Sequence, residues 1–157
     1  MSLFKKQIVI IGGSKASKEN LKAAYEVGKE IAKNQYILVC GGKGGVMEAA
    51  CRGAKENKGF TVGIIPERNP EDNLDNEYLD IIIPTGINSS RNYIVQNSGS
   101  VIIMIAGGYG TLSELGFALQ FNKKVIALKS KWAKIDKKII IAKNAKDAVL
   151  KAIKQVT

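Results

Sequence analysis

The chain contains no histidine. That removes the commonest general base at neutral pH and the commonest transition-metal ligand. A Ser–His or Cys–His couple is excluded within one chain, so acid–base chemistry falls to carboxylates, lysine, tyrosine or bound water. Cysteine is nearly as scarce. Cys40 and Cys51 have no metal-type partners around them, so no metal site is expected and a reduced cytosolic protein is the simplest reading. Only three prolines occur and 45% of residues are apolar, which excludes a disordered chain. No apolar run approaches the ~18–20 residues of a membrane span. The N-terminal MSLFKKQIVIIGG lacks a long apolar core and a small-residue cleavage site, so a cytoplasmic protein with no membrane partner is expected. Arginine is rare too, limited to Arg52, Arg68 and Arg91.

What is abundant is lysine. The net charge is +10, and from Asn122 onward eleven lysines face only Asp136 and Asp147. Such a tail could touch an acidic surface or nucleic acid. However, it holds no arginine and one aromatic, Trp132, whereas base reading favours arginine and stacking rings. The lysines are therefore read as solvated faces of the last strand and helix, with nucleic acid disfavoured as a partner.

The order of elements alternates. Gln7–Ile11 reads as a strand, followed by a helix with Leu21, Ala24, Tyr25, Gly28, Ile31 and Ala32 on one face and Ser17 as its N-cap. Tyr36–Cys40 is a second strand, and a helix from near Gly45 to about Asn57 follows. Phe60–Ile65 is a third strand and Pro66–Asn76 a polar loop. Leu79–Ile83, Val101–Ile105, Lys124–Leu128 and Lys138–Ile141 are further strands. Asn88–Asn97, Thr111–Phe121 and Ala145–Val156 are further helices. The runs IVII, VIIMI and IIII are continuously apolar rather than alternating, as in strands buried on both faces. The expected fold is α/β: one doubly wound, mostly parallel, Rossmann-like sheet flanked by helices, forming a single domain over residues 1–157.

In such sheets ligands bind at the carboxyl ends of the strands. Three of these ends carry glycine pairs: Gly12-Gly13 before Ser14, Gly41-Gly42 before Gly44 and Gly45, and Gly107-Gly108 before Gly110 and Thr111. Glycine lets backbone N–H groups approach a ligand, and a helix N-terminus suits phosphate. A phosphorylated, nucleotide-like small molecule is the expected ligand. GGKGGV at 41–46 has neither the dinucleotide fingerprint order nor a Walker lysine, which disfavours bound NAD and P-loop NTPase activity. Within AGGYGTLSELGFALQ (106–120), Thr111 and Glu114 also fit a capping box, with Thr111 as N-cap.

GGYGTLSE resembles the GGxGTxxE motif of the LOG (lonely guy) proteins, nucleoside 5′-monophosphate phosphoribohydrolases. CGGKGGVMEAACRGA resembles the family's first glycine-rich segment, often GGGxxGLM. SSRN at 89–92 falls where the family has its functional arginine. LOG enzymes typically have proline before GGxGT and Arg-Lys in the middle motif. Ala106 and Arg91-Asn92 stand here instead, which resembles the short branch containing the molybdenum cofactor carrier protein. Superfamily members have also carried a lysine decarboxylase label, but no pyridoxal-phosphate lysine motif is recognisable.

The resemblance implies that Arg91 and Glu114 correspond to the LOG catalytic pair. Gly107, Gly108, Gly110 and Thr111 correspond to its phosphate turn, with Asn92 beside the arginine and the strand ends near Gly13 and Gly42 walling the cleft. Two functions follow. The one placed first is hydrolysis of the N-glycosidic bond of a nucleoside monophosphate, with Glu114 carboxylate stabilising the oxocarbenium-like ribose and Arg91 holding both ligand and acid. The alternative is a carrier or sensor of a phosphorylated pterin, such as molybdenum cofactor, or of a nucleotide. Neither needs a further cofactor. The resemblance also implies a homodimer or higher assembly, with contacts near Arg91–Ser98 and Thr111–Phe121.

Overall fold

A computed structural model describes residues 6–156. The segment MSLFK and Thr157 lie outside the described residues. The strands are β1 (Gln7–Gly12), β2 (Ile37–Cys40), β3 (Phe60–Ile65), β4 (Ile81–Pro84), β5 (Val101–Ile105), β6 (Lys124–Leu128) and β7 (Ile140–Ile141). The helices are α1 (Lys18–Lys33), α2 (Val46–Glu56), α3 (Arg91–Asn97), α4 (Tyr109–Gln120) and α5 (Ala145–Val156), with short 3₁₀ turns at Pro70–Asp72 and Asn88–Ser90.

The seven strands form one sheet in the order β4-β3-β2-β1-β5-β6-β7, every pairing parallel. Successive residues of β1 point to opposite faces. Ile8 and Ile10 enter a core shared with α1, α2 and α5, while Val9 and Ile11 enter one shared with α3 and α4. Both faces are covered, which is why β1 and β5 carry no polar alternation. At α1, Ser17 Oγ accepts from the Asn20 amide at 3.2 Å, as the N-cap reading expects.

Three elements differ from the sequence reading. The fourth strand begins at Ile81 rather than Leu79. The last strand is two residues long, because Asp136 draws the chain into a turn: its Oδ1 accepts from the Lys138 amide at 2.7 Å and its carbonyl from Ile139 at 3.2 Å. Helix α4 begins at Tyr109, two residues before Thr111. No helix of the described residues is long and apolar enough to cross a membrane.

The lysine-rich tail is only partly the solvated face expected of it. Lys124 and Lys137 are exposed, but Lys123 Nζ donates to the Gly99 carbonyl at 2.9 Å, Lys151 Nζ to Asp147 at 2.8 Å, and Lys129 pairs with Glu19.

Topology positions the site. The chain winds outward through β2, β3 and β4, then returns to lay β5 on the other side of β1. Gly12 pairs in register with Ile105, so the turns after β1 and β5 emerge side by side at the point where strand order reverses.

Candidate functional site

A polar cavity of about 590 Å³ opens at this switch point. One wall is the start of α4. Its cap residue, Gly108, offers no side-chain acceptor. The first helical N–H groups, at Tyr109, Gly110 and Thr111, therefore meet the cavity with the positive end of the helix dipole behind them. The turn is closed by positive φ at Ala106 (+50°) and Gly107 (+105°). A side chain at Gly107 would collide with Thr111, 2.5 Å away. Gly108 is different: its φ is −101° and a Cβ there would meet nothing within 4 Å. Its missing side chain leaves room in the cavity rather than relieving backbone strain. Trp132 fixes the turn from outside, its Nε1 donating to the Gly107 and Gly108 carbonyls at 3.2 Å each. In a trans peptide C=O and N–H point oppositely, so the clamp directs the following N–H groups, of Gly108 and Tyr109, away from the indole.

The early start of α4 overturns the capping-box reading. Thr111 lies inside the first turn, and Glu114 is one turn deeper, 6% exposed. Glu114 lines the cavity, and among the described residues its carboxyl makes no hydrogen bond to protein. Burial pushes its pKa up to about 8, against the opposing pull of Arg91. Burial therefore favours the neutral acid near neutral pH.

Arg91, at the start of α3, is also buried at the cavity wall. Its guanidinium donates to the Gly41 carbonyl at 3.1 Å and to Asn92 Oδ1. Asn92 in turn donates to Ser113 Oγ at 3.1 Å and so ties α3 to α4. No hydrogen bond or ion pair joins Arg91 to Glu114 among the described residues, contrary to the expectation that the arginine holds the acid. Burial lowers the Arg91 pKa, opposed by Glu114, Cys40 and Glu67.

Of the residues singled out in the sequence, Gly12, Gly13, Ser14, Arg91, Asn92, Gly108, Gly110, Thr111 and Glu114 line this one cavity. Gly41, Gly42, Gly44, Gly45 and Gly107 do not, and for all of these but Gly44 a side chain would collide with its neighbours. A Cβ on Gly41 would come within 2.8 Å of the Arg91 guanidinium, and one on Gly45 within 2.4 Å of the Gly13 carbonyl. Sequence reasoning missed Lys15, Lys43, Met47, Asp75, Ser89 and Tyr109, which also line the cavity. Lys43 and Tyr109 stand inside the glycine motifs and were findable there. Asp75 lies in the polar loop after β3 and carries no local signal.

Fold and site together define a Rossmann-like α/β protein with a polar cavity at the switch point, walled by an open helix N-terminus, one arginine and one buried acid. The chain belongs to the SLOG cluster4 family, whose profile matches residues 5–157, and so to the LOG-like superfamily. It is similar to the molybdenum cofactor binding protein from the phototrophic bacterium Rippkaea orientalis, with 34% identity and a TM-score of 0.92 over 99% of this chain and 100% of that one. The molybdenum cofactor carrier protein of Chlamydomonas reinhardtii gives 31% identity and a TM-score of 0.84, over 96% and 97% of the two chains. A cytokinin riboside 5′-monophosphate phosphoribohydrolase of Mycobacterium tuberculosis is 32% identical over 134 residues, 82% of this chain and 72% of its own.

Proposed function

We propose that this protein binds a phosphate-bearing heterocycle of the molybdenum-cofactor type and holds it without cleaving it. The observation that carries this reading is the burial of Glu114. A carboxylate stabilises an oxocarbenium-like ribose by its negative charge, but this carboxyl has no hydrogen-bond partner and is pushed to about 8. A phosphate dianion in the same cavity would raise it further. Two features support the same conclusion. Asn92 places an acceptor on the Arg91 guanidinium, where a lysine, which only donates, could not. Ala106 stands at φ +50° with its N–H donated to the Leu128 carbonyl at 3.1 Å, and proline can adopt neither feature. The likeness to the Rippkaea and Chlamydomonas proteins extends over nearly the whole length of each chain.

In this reading the ligand phosphate occupies the open N–H groups of Tyr109–Thr111, and the buried acid serves as a neutral hydrogen-bond donor rather than as a charge. Titration calorimetry with inorganic phosphate tests the cradle. The wild type binds, and Gly108→Val, which fills space that no protein atom needs, does not. Native mass spectrometry of the purified protein tests the ligand class, and a co-purifying phosphopterin is the expected result. Retained phosphate binding in Gly108→Val would move the cradle elsewhere.

One observation favours the hydrolase as second reading. Arg91 and Glu114 line the same cavity, and a carboxyl near pH 8 suits proton transfer close to neutrality. Release of free adenine from AMP would establish it and overturn the carrier. A homodimer fits either function. Tyr93, Ile94 and Phe121 are 42%, 38% and 45% exposed on adjoining faces of α3 and α4, with Tyr93 edge-on to Phe121 at 5.6 Å, an apolar surface of the kind a subunit contact covers.

A further inference from the structure

The wall of the cavity opposite α4 carries an ion pair that the phosphate reading leaves unused. Lys43 follows β2 and Asp75 lies in the loop after β3; both line the cavity, and Nζ to Oδ2 is 2.6 Å. The lysine is held from behind by Glu67 and, at 3.5 Å, by Asn73 Oδ1. Burial works against its charge, but Asp75 and Glu67 outweigh this and hold the ammonium above its usual pKa. Asp75 is half exposed. The site therefore presents a cation and an anion side by side. The three donors of the ammonium meet Asp75, Glu67 and Asn73; the contact to Asn73, at 3.5 Å, is the longest and the one a ring carbonyl would replace, while the ionised carboxylate of Asp75 has about four acceptor positions and gives one to Lys43.

We propose that Lys43 and Asp75 read the ring of the ligand and select a 2-amino-4-oxopyrimidine edge, the edge shared by pterins and guanine, over the adenine edge. This rests on the phosphate site at α4. The chemistry is complementary group by group. The ring carbonyl accepts from Lys43, while the adjacent ring N–H and exocyclic amine both donate to Asp75. Adenine reverses the pattern: its ring nitrogen offers a lone pair to the carboxylate and its amine offers hydrogens to the ammonium. The spacing also fits. Lys43 leaves the sheet at β2 and the phosphate cradle at β5, two strand spacings apart across β1, which is roughly 10 Å. That matches the reach of a mononucleotide or a pterin phosphate from phosphate to far ring edge. Glu114, the other acid of the cavity, lies beneath the cradle on α4 and is not at this end.

The test is a binding series on the intact protein by calorimetry, with inorganic phosphate, AMP, IMP, GMP and a pterin 6-methyl phosphate. GMP and the pterin phosphate should each bind about 10–100-fold more tightly than AMP, the effect of hydrogen bonds to a charged partner. IMP, which lacks the amine, should fall between. The ratio of pterin phosphate to GMP then tells which of the two carriers of this edge the cavity prefers. Asp75→Asn replaces one acceptor by a donor at an exposed position. It should bring GMP and the pterin down to the level of AMP and leave inorganic phosphate unchanged. If phosphate binds but GMP and AMP agree within about threefold, or if Asp75→Asn keeps the preference, the edge assignment is wrong and the phosphate site stands. If neither phosphate nor any of the ligands binds, the phosphate site fails and the edge assignment with it.

Discussion

Replacing Glu114 with glutamine tests the central physical statement about the site. Glutamine has the shape of the neutral acid and no charge to desolvate. In the wild type the folded carboxyl titrates near 8, against an ordinary value of 4.5. The unfolded chain therefore releases its proton first as pH rises, and between these two values the folded state binds more protons. Stability must fall with pH across that window, with the full contribution present below pH 4.5 and lost above about pH 8. At ~1.36 kcal/mol per pKa unit the complete loss is ~5 kcal/mol. Most of it, ~3 kcal/mol, falls between pH 5.5 and 9. Every other titrating group is common to both proteins, so the difference in unfolding free energy, Glu114→Gln minus wild type, isolates this one residue. Urea denaturation at pH 5.5, 7 and 9, followed by circular dichroism, gives that difference directly. The glutamine variant should gain on the wild type at each step. A flat difference would mean that Glu114 is already ionised in the folded protein at pH 5.5, whether solvated or paired with Arg91. That result removes the argument against a charged catalytic carboxylate.

Three other outcomes follow from the same geometry. Ala106→Gly should be as stable as the wild type or better, because relief of a left-handed conformation is worth ~1 kcal/mol, whereas Ala106→Pro should lose ~3 kcal/mol or more in urea denaturation through its fixed φ and the lost bond to Leu128. Trp132→Phe keeps the ring but removes the donor to Gly107 and Gly108; calorimetry should show phosphate binding weakened ~10-fold with a melting temperature within a few degrees of wild type. Tyr93→Glu should shift light-scattering mass to that of a monomer if the α3–α4 face joins two copies, and an unchanged mass would exclude that face.

The fold was legible because its signals are local and strong. IVII and VIIMI can only be strands covered on both sides, and Ser17 and the apolar stripe behind it fix α1 without tertiary information. The cavity wall at the start of α4 was legible for the same reason, since Gly108, Gly110 and Thr111 stand in one contiguous motif. The start of α4 misled because T-L-S-E satisfies the capping-box pattern on its own. The structure instead begins α4 at Tyr109, straight after the positive-φ turn at Ala106 and Gly107. The charge state of Glu114 was illegible for a similar reason: no spacing rule reports that a carboxyl one turn into a helix will be buried without a partner. Asp75 belongs to a loop whose composition says only that it is exposed, and its meeting with Lys43 depends on β3 lying beside β2. Trp132 read as an incidental aromatic in a basic tail, and its indole acts on a turn 24 residues earlier in the chain.

The pairing of Gly12 with Ile105 has a consequence for how the protein is held together over time. It closes a loop of roughly ninety residues, a costly step in assembling the chain, and the cavity does not exist until that step is complete. A form in which β1 and β5 have separated cannot retain the ligand, so occupancy must slow the openings that separate them. Amide hydrogens in these two central strands should exchange more slowly on ligand binding by the full factor 1 + [L]/Kd. The edge strand β7, which opens locally and contributes no residue to the cavity, should exchange at the same rate with the cavity full or empty.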